Sequence, residues 1–535
     1  MPGSRRQFLT RALLATPLAA RTVPAIAARP FGRAAKRANS STTVAGRTTD
    51  PRIPFFVVPG GNAVDSAVAT ALIAAVQAPS QTGIGGYGLS AIVCPNGSDR
   101  ITAVDANSAA PQSLSSDLFR PQADGTVPGR INETGWLAAG VPGVLAGLQL
   151  LIDQFASLKL HTLLQPALKL ARDGYPWPEG YARAIATRPI FATDPGSRQL
   201  YFRNGSPLAA GEVFRNPALA DLLQTLADRN SVDDFYRGGI AQQLAVEFER
   251  NGGLVTAADL AAYQAIAVKP LILTHGNRSV CTPPLTAGGL SVLQMLKTWL
   301  SLPGTIRENA EMSLHATAET MRWAWRDRLT LLGDPAIESV PVDRLLSDLN
   351  AQQSAAAIAA AVQQKKILTH DLQPNGQSGT INISAADDQG NMIALTLTHG
   401  NGFGAGVTAA GLGLTLGHGM SRFDPRPGHP NGPRPGKKPL HNMVPVIALE
   451  GSQAAFAIGG AGGRKIPNSI FSVLRPWLAE NVSLERALTV PRLHTEGTAT
   501  MEVTADGSVQ KATLEQLGYT VRTAGSAALA AQPKL

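Results

Sequence analysis

An α+β fold is predicted, on two patterns that change at one point in the chain. Over residues 144–364, apolar side chains recur every three or four positions, the period of helices with one buried face. From Thr380 onward the period falls to two: Ile381-Asn382-Ile383-Ser384 alternates, Asp388-Gln389-Gly390-Asn391 has hairpin chemistry, and Met392–Thr398 alternates again. A polar, proline-containing stretch, residues 370–379, separates the two regimes and reads as an exposed loop. No repeat of solenoid type occurs.

The elements follow in order. Ser4-Arg5-Arg6-Gln7-Phe8-Leu9, a weakly apolar stretch over residues 12–20 and Ala25-Ile26-Ala27 have the three parts of a twin-arginine export signal, expected over residues 1–28. Its apolar part is too short, and too interrupted by Pro17, to anchor the chain in a bilayer. Residues 29–50 are basic and patternless and read as a linker. Asn62 or Asp65 then caps a buried helix that runs toward Pro79. Gly83-Ile84-Gly85-Gly86-Tyr87-Gly88 breaks it, and residues 89–93 read as a buried strand. Helical spacing marks residues 144–155, 162–171, 217–227 and 240–250, the last stopped by Asn251-Gly252-Gly253. Thr256 to Asp259 starts a short helix, and residues 288–300, 313–332 and 351–364 continue the helical character. Arg322, Arg326, Asp327 and Arg328 read as a solvated or ion-paired structural face.

Composition bounds the function. The chain has 535 residues, 44% of them hydrophobic, enough for a large core. Its formal net charge is +9, but Arg5, Arg6, Arg11, Arg21, Arg29, Arg33, Lys36, Arg37 and Arg47 all precede the first acid, so the remainder is near neutral. That argues against a nucleic-acid partner for the folded body. The two cysteines, Cys94 and Cys281, are no disulfide framework and read as buried free thiols. No CxxC or HExxH spacing occurs, and no cofactor or metal is implied.

Several short motifs, in order, resemble the γ-glutamyltranspeptidase family. They are Gly60-Gly61-Asn62-Ala63-Val64-Asp65, the glycine-rich stretch 83–88, Val141-Pro142-Gly143, Tyr236-Arg237-Gly238, residues 282–289 (TPPLTAGG), Gly333-Asp334-Pro335, Phe403-Gly404-Ala405-Gly406, Pro439-Leu440 with Met443 and Pro445, and residues 459–463 (GGAGG). Each is weak alone; their order from about residue 52 to about residue 520 carries the likeness. The resemblance implies a four-layer αββα sandwich of the N-terminal-nucleophile hydrolase type. It also implies a precursor that cuts itself once, into a large subunit (51–379) and a small catalytic subunit (380–535).

By the same resemblance Thr380 is the nucleophile, Thr398 supplies a hydroxyl bonded to it, and the amides of Gly462 and Gly463 form an oxyanion hole. The chemistry suits these types. A threonine hydroxyl needs a base, and a new N-terminal amine provides one on the same residue. Read without the resemblance, Thr380 is an ordinary strand threonine. The sequence departs from the family at Ile381 and Asn382, where a second threonine and a histidine are usual. It departs again in the acyl pocket: Asn107 stands for an arginine that grips an α-carboxylate, Gly419 and Arg422 for a glutamine and an aspartate that hold an α-ammonium, and His441-Asn442 for a serine pair. His441 reads equally as a pocket residue or a surface histidine. Family chains continue past the region of Gly525 into a glycine-rich strand segment, whereas this sequence ends at Leu535.

The function expected is cleavage or transfer of an amide's acyl group through an acyl-Thr380 ester, on a small-molecule substrate, in a periplasmic or secreted protein. Charge at Arg422 favours an oxamate-type or glutaryl-acylase-type specificity over γ-glutamyl compounds. The rival is an exported binding protein that has lost catalysis.

Overall fold

The computed structural model describes residues 42–97, 100–370, 372 and 379–535. The leader lies outside these residues, as does most of the loop expected before Thr380. Among the described residues, no helix is long and apolar enough to cross a membrane.

Two antiparallel sheets organise the chain. Their strands, in sequence order, are β1 (Val44–Thr48), β2 (Gly88–Cys94), β3 (Thr102–Asn107), β4 (Ile266–Val268), β5 (Leu271–His275), β6 (Arg278–Thr282), β7 (Ile381–Asp387), β8 (Met392–Thr398), β9 (Val446–Glu450), β10 (Gln453–Ala461) and β11 (Ala528–Pro533). The first sheet runs β1-β7-β8-β2-β3-β4 and the second β11-β10-β9-β6-β5. Every residue of β2, β7 and β8 is buried, so both faces of these strands are covered.

Alternation along β7 assigns its faces. Ile381, Ile383 and Ala385 enter an apolar core with the helices Ala63–Gln77, Val144–Phe155, Leu160–Asp173, Pro217–Arg229 and Gly239–Arg250. Asn382, Ser384 and Ala386 point the other way, toward the second sheet. The Ser384 hydroxyl donates to the Ala530 carbonyl at 2.9 Å, and a Cβ on Gly459 would stand 2.0 Å from the Asn382 amide oxygen. The second sheet packs its outer face on the helices Gly289–Leu300, Ala310–Leu331, Asp348–Gln363 and Lys465–Glu480. Cys94 and Cys281 are buried thiols outside any disulfide, in the apolar cluster shared by the two sheets. Burial raises the Cys281 thiol to about 12.

The local signals hold. Asn62 caps the helix Ala63–Gln77, its side chain accepting from Val64 N at 2.8 Å and Asp65 N at 3.0 Å, while Asp65 accepts from Asn62 N at 2.8 Å. Thr256 and Asp259 form the same reciprocal box before Ala257–Ala262.

The linker expectation fails at its C-terminal end. Val44–Thr48 is an edge strand paired with Asp387–Ile383. Its pairing partner lies more than 300 residues away and leaves no local trace. The segment past Gly525 does end in a strand: Ala528–Pro533 pairs with Ala461–Phe456 at the edge of the second sheet.

Candidate active site

The site is built where β7 begins, β8 ends and β10 turns into a helix. Thr380 stands just before β7 and is 5% exposed. Its hydroxyl lies 3.3 Å from that of Thr398, the last residue of β8. Both hydroxyls converge on one carbonyl: Thr380 Oγ1 donates to Gly379 O at 2.6 Å, and Thr398 Oγ1 donates to the same oxygen. Gly400 N–H donates to Thr398 Oγ1 at 2.8 Å, which leaves the Thr398 proton for the Gly379 carbonyl. Gly379 has φ +105°, a conformation that strains a residue with a side chain, and a Cβ there would sit 3.1 Å from the Asn401 carbonyl carbon, a tight contact.

Gly462 and Gly463 follow β10 and precede the helix Lys465–Glu480. They lie three and four residues beyond Gly459, which meets Asn382 of β7. Gly462 has φ +141°, and a Cβ on it would meet Ala527 Cα at 2.9 Å. Among the described residues, neither glycine's amide donates to a backbone carbonyl. Two such N–H groups at a helix N-terminus form an environment suited to an oxyanion.

Register connects the catalytic candidates to the pocket candidates. Thr398 pairs with Gly88 and Gly88 with Asn107, so the three lie in one cross-strand row. Asn107 is fully buried, and its amide donates to Thr286 Oγ1 at 2.8 Å and Pro439 O at 2.6 Å. With both donors used, Asn107 offers a ligand only its Oδ1. Gly419 leaves no room for a longer side chain, since a Cβ would meet Ser108 Oγ at 2.9 Å and Tyr87 Cβ at 3.2 Å. Arg422 is 7% exposed, lies over the Tyr87 ring at 5.4 Å, and brings Nη2 to 2.8 Å from the position of a Cβ on Gly400. It thus lies beside Gly400, whose amide donates to Thr398 Oγ1.

His441 is buried, which removes the surface alternative. Asn442 Oδ1 accepts from Arg328 Nη2 at 3.2 Å, and the same nitrogen donates to His441 O at 2.7 Å. The arginine-rich helix face divides on burial. Arg322 pairs with Glu319 at 2.6 Å, both buried, and Arg326 pairs with Asp327. Arg328 is 3% exposed and turns toward His441, so neither Arg322 nor Arg328 is solvated. Tyr87, Arg328, Gly400 and His418 are residues of this site that sequence reasoning missed. Only Tyr87 carried a signal, its place in the glycine-rich stretch 83–88. Ile381 and Asn382, the unusual residues after Thr380, are explained by their faces: one enters the helix-side core, and the other lies within 2.7 Å of the Thr396 hydroxyl between the sheets.

Loop 399–406, which carries Gly400, is held by aromatic packing. The Phe403 ring lies 5.4 Å from both Phe191 and Tyr201, and 5.6 Å from Tyr181. Burial drives the imidazoles around the loop to neutrality. His399 and His441 are each lowered to about 3, and His418 falls well below its ordinary value through burial and then the nearby Arg422.

These histidines stay neutral in the fold and bind protons once unfolded, below their ordinary 6.5. Stability is therefore complete above pH 6.5 and falls as pH drops toward 3, by up to about 1.4 kcal/mol per pH unit for each histidine. We expect the urea midpoint to fall between pH 6.5 and 5, above the carboxylate range, and the slope to flatten in His441→Gln. An identical slope in that variant would assign the effect to other groups.

The family model described as Gamma-glutamyltranspeptidase matches residues 57–532. The glutathione hydrolase proenzyme of Escherichia coli (strain K12) is 31% identical over 459 residues, covering 81% of this chain and 77% of that protein. The acylase ACY 1 proenzyme of Pseudomonas sp. (strain V22) is 31% identical over 450 residues, covering 83% and 80%. In fold, the crystal structure of cephalosporin acylase from Bacillus halodurans superposes with a TM-score of 0.80 at 23% identity, over 96% of this chain and 98% of that one. With a match along most of its length and a pair of threonines at the strand ends, the chain belongs to the gamma-glutamyltranspeptidase family.

Proposed function

We propose that this chain is a self-cleaving amidohydrolase or acyltransferase with a four-layer αββα arrangement of the N-terminal-nucleophile hydrolase type. The observation that carries the reading is the convergence of the Thr380 and Thr398 hydroxyls on the Gly379 carbonyl. Thr398 polarises that carbonyl, and Thr380 Oγ1 attacks its carbon. The C–N bond breaks as an ester forms, the proton passes to the Thr380 amine, and water hydrolyses the ester. Before cleavage the amine is locked in a peptide bond. Afterwards it is a base with a pKa near ~8, attached to the residue whose hydroxyl it activates.

In turnover, Thr380 Oγ1 takes the acyl group from an amide while the amides of Gly462 and Gly463 stabilise the developing oxyanion. Water or an amine then accepts the acyl group. Arg422 reads a carboxylate on the acyl chain, which places the chain nearer an acylase than a γ-glutamyl enzyme. The twin-arginine leader directs export to the periplasm or beyond.

The test is the state of the purified protein. It is expected to run as two pieces, the smaller having 535 − 379 = 156 residues and beginning Thr-Ile-Asn-Ile on Edman sequencing. A stable single chain at neutral pH with Thr380 unmodified would overturn the reading.

A further inference from the structure

Two buried guanidiniums line one cleft, that of Arg422 lying beside Gly400, and among the described residues neither is ion-paired with a carboxylate. Arg328 and Arg422 are 3% and 7% exposed, and both line a cleft with Arg464, Ser421, Asn431 and Leu440. The acids nearby are already paired: Glu496 with Arg464 at 2.7 Å, Asp424, which lines the cleft, with Arg426 at 2.7 Å, Asp327 with Arg326 at 2.6 Å, and Glu133, whose charge reaches Arg422, with Arg130. Arg328 gives Nη2 to the His441 carbonyl and the Asn442 amide oxygen, while its buried Nη1 has no partner; nor has the buried Nε of Arg422. Burial holds Arg328 down to about 10 and lowers Arg422, and the guanidinium is basic enough to stay a cation at neutral pH. A buried cation without a counter-ion is unfavourable, and two on one cleft repel each other, so the cleft suits an anion.

We propose that Arg328 is a second specificity-determining residue, which shares with Arg422 the terminal carboxylate of the acyl group and so restricts the substrate class to half-amides of dicarboxylic acids. The inference rests on the acyl-pocket reading above. It adds a residue on the helix Ala310–Leu331, from the large-subunit side, to one from the small-subunit side. The carboxylate is then held from both subunits, and its position relative to Thr380 depends on their docking. Arg328 also fixes the backbone at His441, so it positions one wall of the pocket while it binds.

Calorimetric titration with glutarate and with neutral glutaramide tests this, since binding is read without turnover. The purified chain is expected to bind glutarate at least about tenfold more tightly than glutaramide. Arg328→Gln should weaken glutarate by about tenfold, Arg328→Lys by at least about threefold, and glutaramide should change little in either. Thermal melting identifies which variant keeps the fold. Should neither do so, Arg422→Gln decides: two guanidiniums leave a residual preference for glutarate of at least about threefold, and one leaves none. Equal binding of the two ligands by the wild type, glutarate affinity within twofold of wild type in a folded Arg328 variant, or loss of all preference in Arg422→Gln overturns the proposal. A chain that binds glutarate as described but cleaves no amide leaves the receptor standing and overturns the Thr380 reading instead.

Discussion

Thr380→Ala is expected to remain a single chain and to lose amide turnover by at least about 10⁴-fold, the scale on which removal of a nucleophile acts. The loss has two layers. Without the hydroxyl, nothing attacks the Gly379 carbonyl, so no N-terminus is released. Without that N-terminus, no amine is free to act as base. Thr380→Ser retains the hydroxyl and is expected to mature slowly and keep part of the activity. Its primary alcohol fits the same space, with Thr398 still 3.3 Å from the oxygen it replaces. Gel mobility over time measures maturation, and an amide assay on the separated products measures turnover. Undiminished hydrolysis by the alanine variant would place the nucleophile elsewhere.

The second large effect is expected in substrate choice. A glutaryl amide should be cleaved at least about tenfold faster than the matching γ-glutamyl amide, a ratio that needs only ~1.4 kcal/mol of transition-state preference. The physical reason is charge at contact range. Arg422 attracts a carboxylate and repels an ammonium, and burial strengthens both interactions. The structure adds a steric reason. Where the family has a glutamine, Gly419 has Ser108 and Tyr87 against it, so the ammonium-reading side chain has no space. Arg422→Asp is expected to shrink or reverse the ratio without restoring full γ-glutamyl turnover, because Gly419 and Asn107 remain. A wild-type preference for the γ-glutamyl compound, or a ratio indifferent to Arg422→Asp, would count against this assignment.

How much of the fold was legible depended on the range of the forces involved. Helix starts at Asn62 and Thr256 were readable because a cap acts over three residues. The strand Ile381–Asp387 was readable because alternation is a property of consecutive side chains. The edge strand Val44–Thr48 was not, because its register is set by Asp387–Ile383. The proposed acyl pocket was legible only in part. Arg422 was singled out by type and place, whereas Arg328 read as one member of a structural charged face.

By itself, then, the sequence determined the helix-rich and strand-rich halves, the switch at Thr380, the glycines that permit a close turn at 462–463, and the residue types at Asn107, Gly419 and Arg422 on which the proposed specificity rests. Tertiary structure alone decided which arginines are buried without a counter-ion, that His441 is interior and neutral, and that Asn107 spends its donors on Thr286 and Pro439. The reason is physical. Periodicity and capping are local, but desolvation and hydrogen-bond partnership depend on what the fold brings alongside, and Arg328 meets the His441 carbonyl across 113 residues of chain.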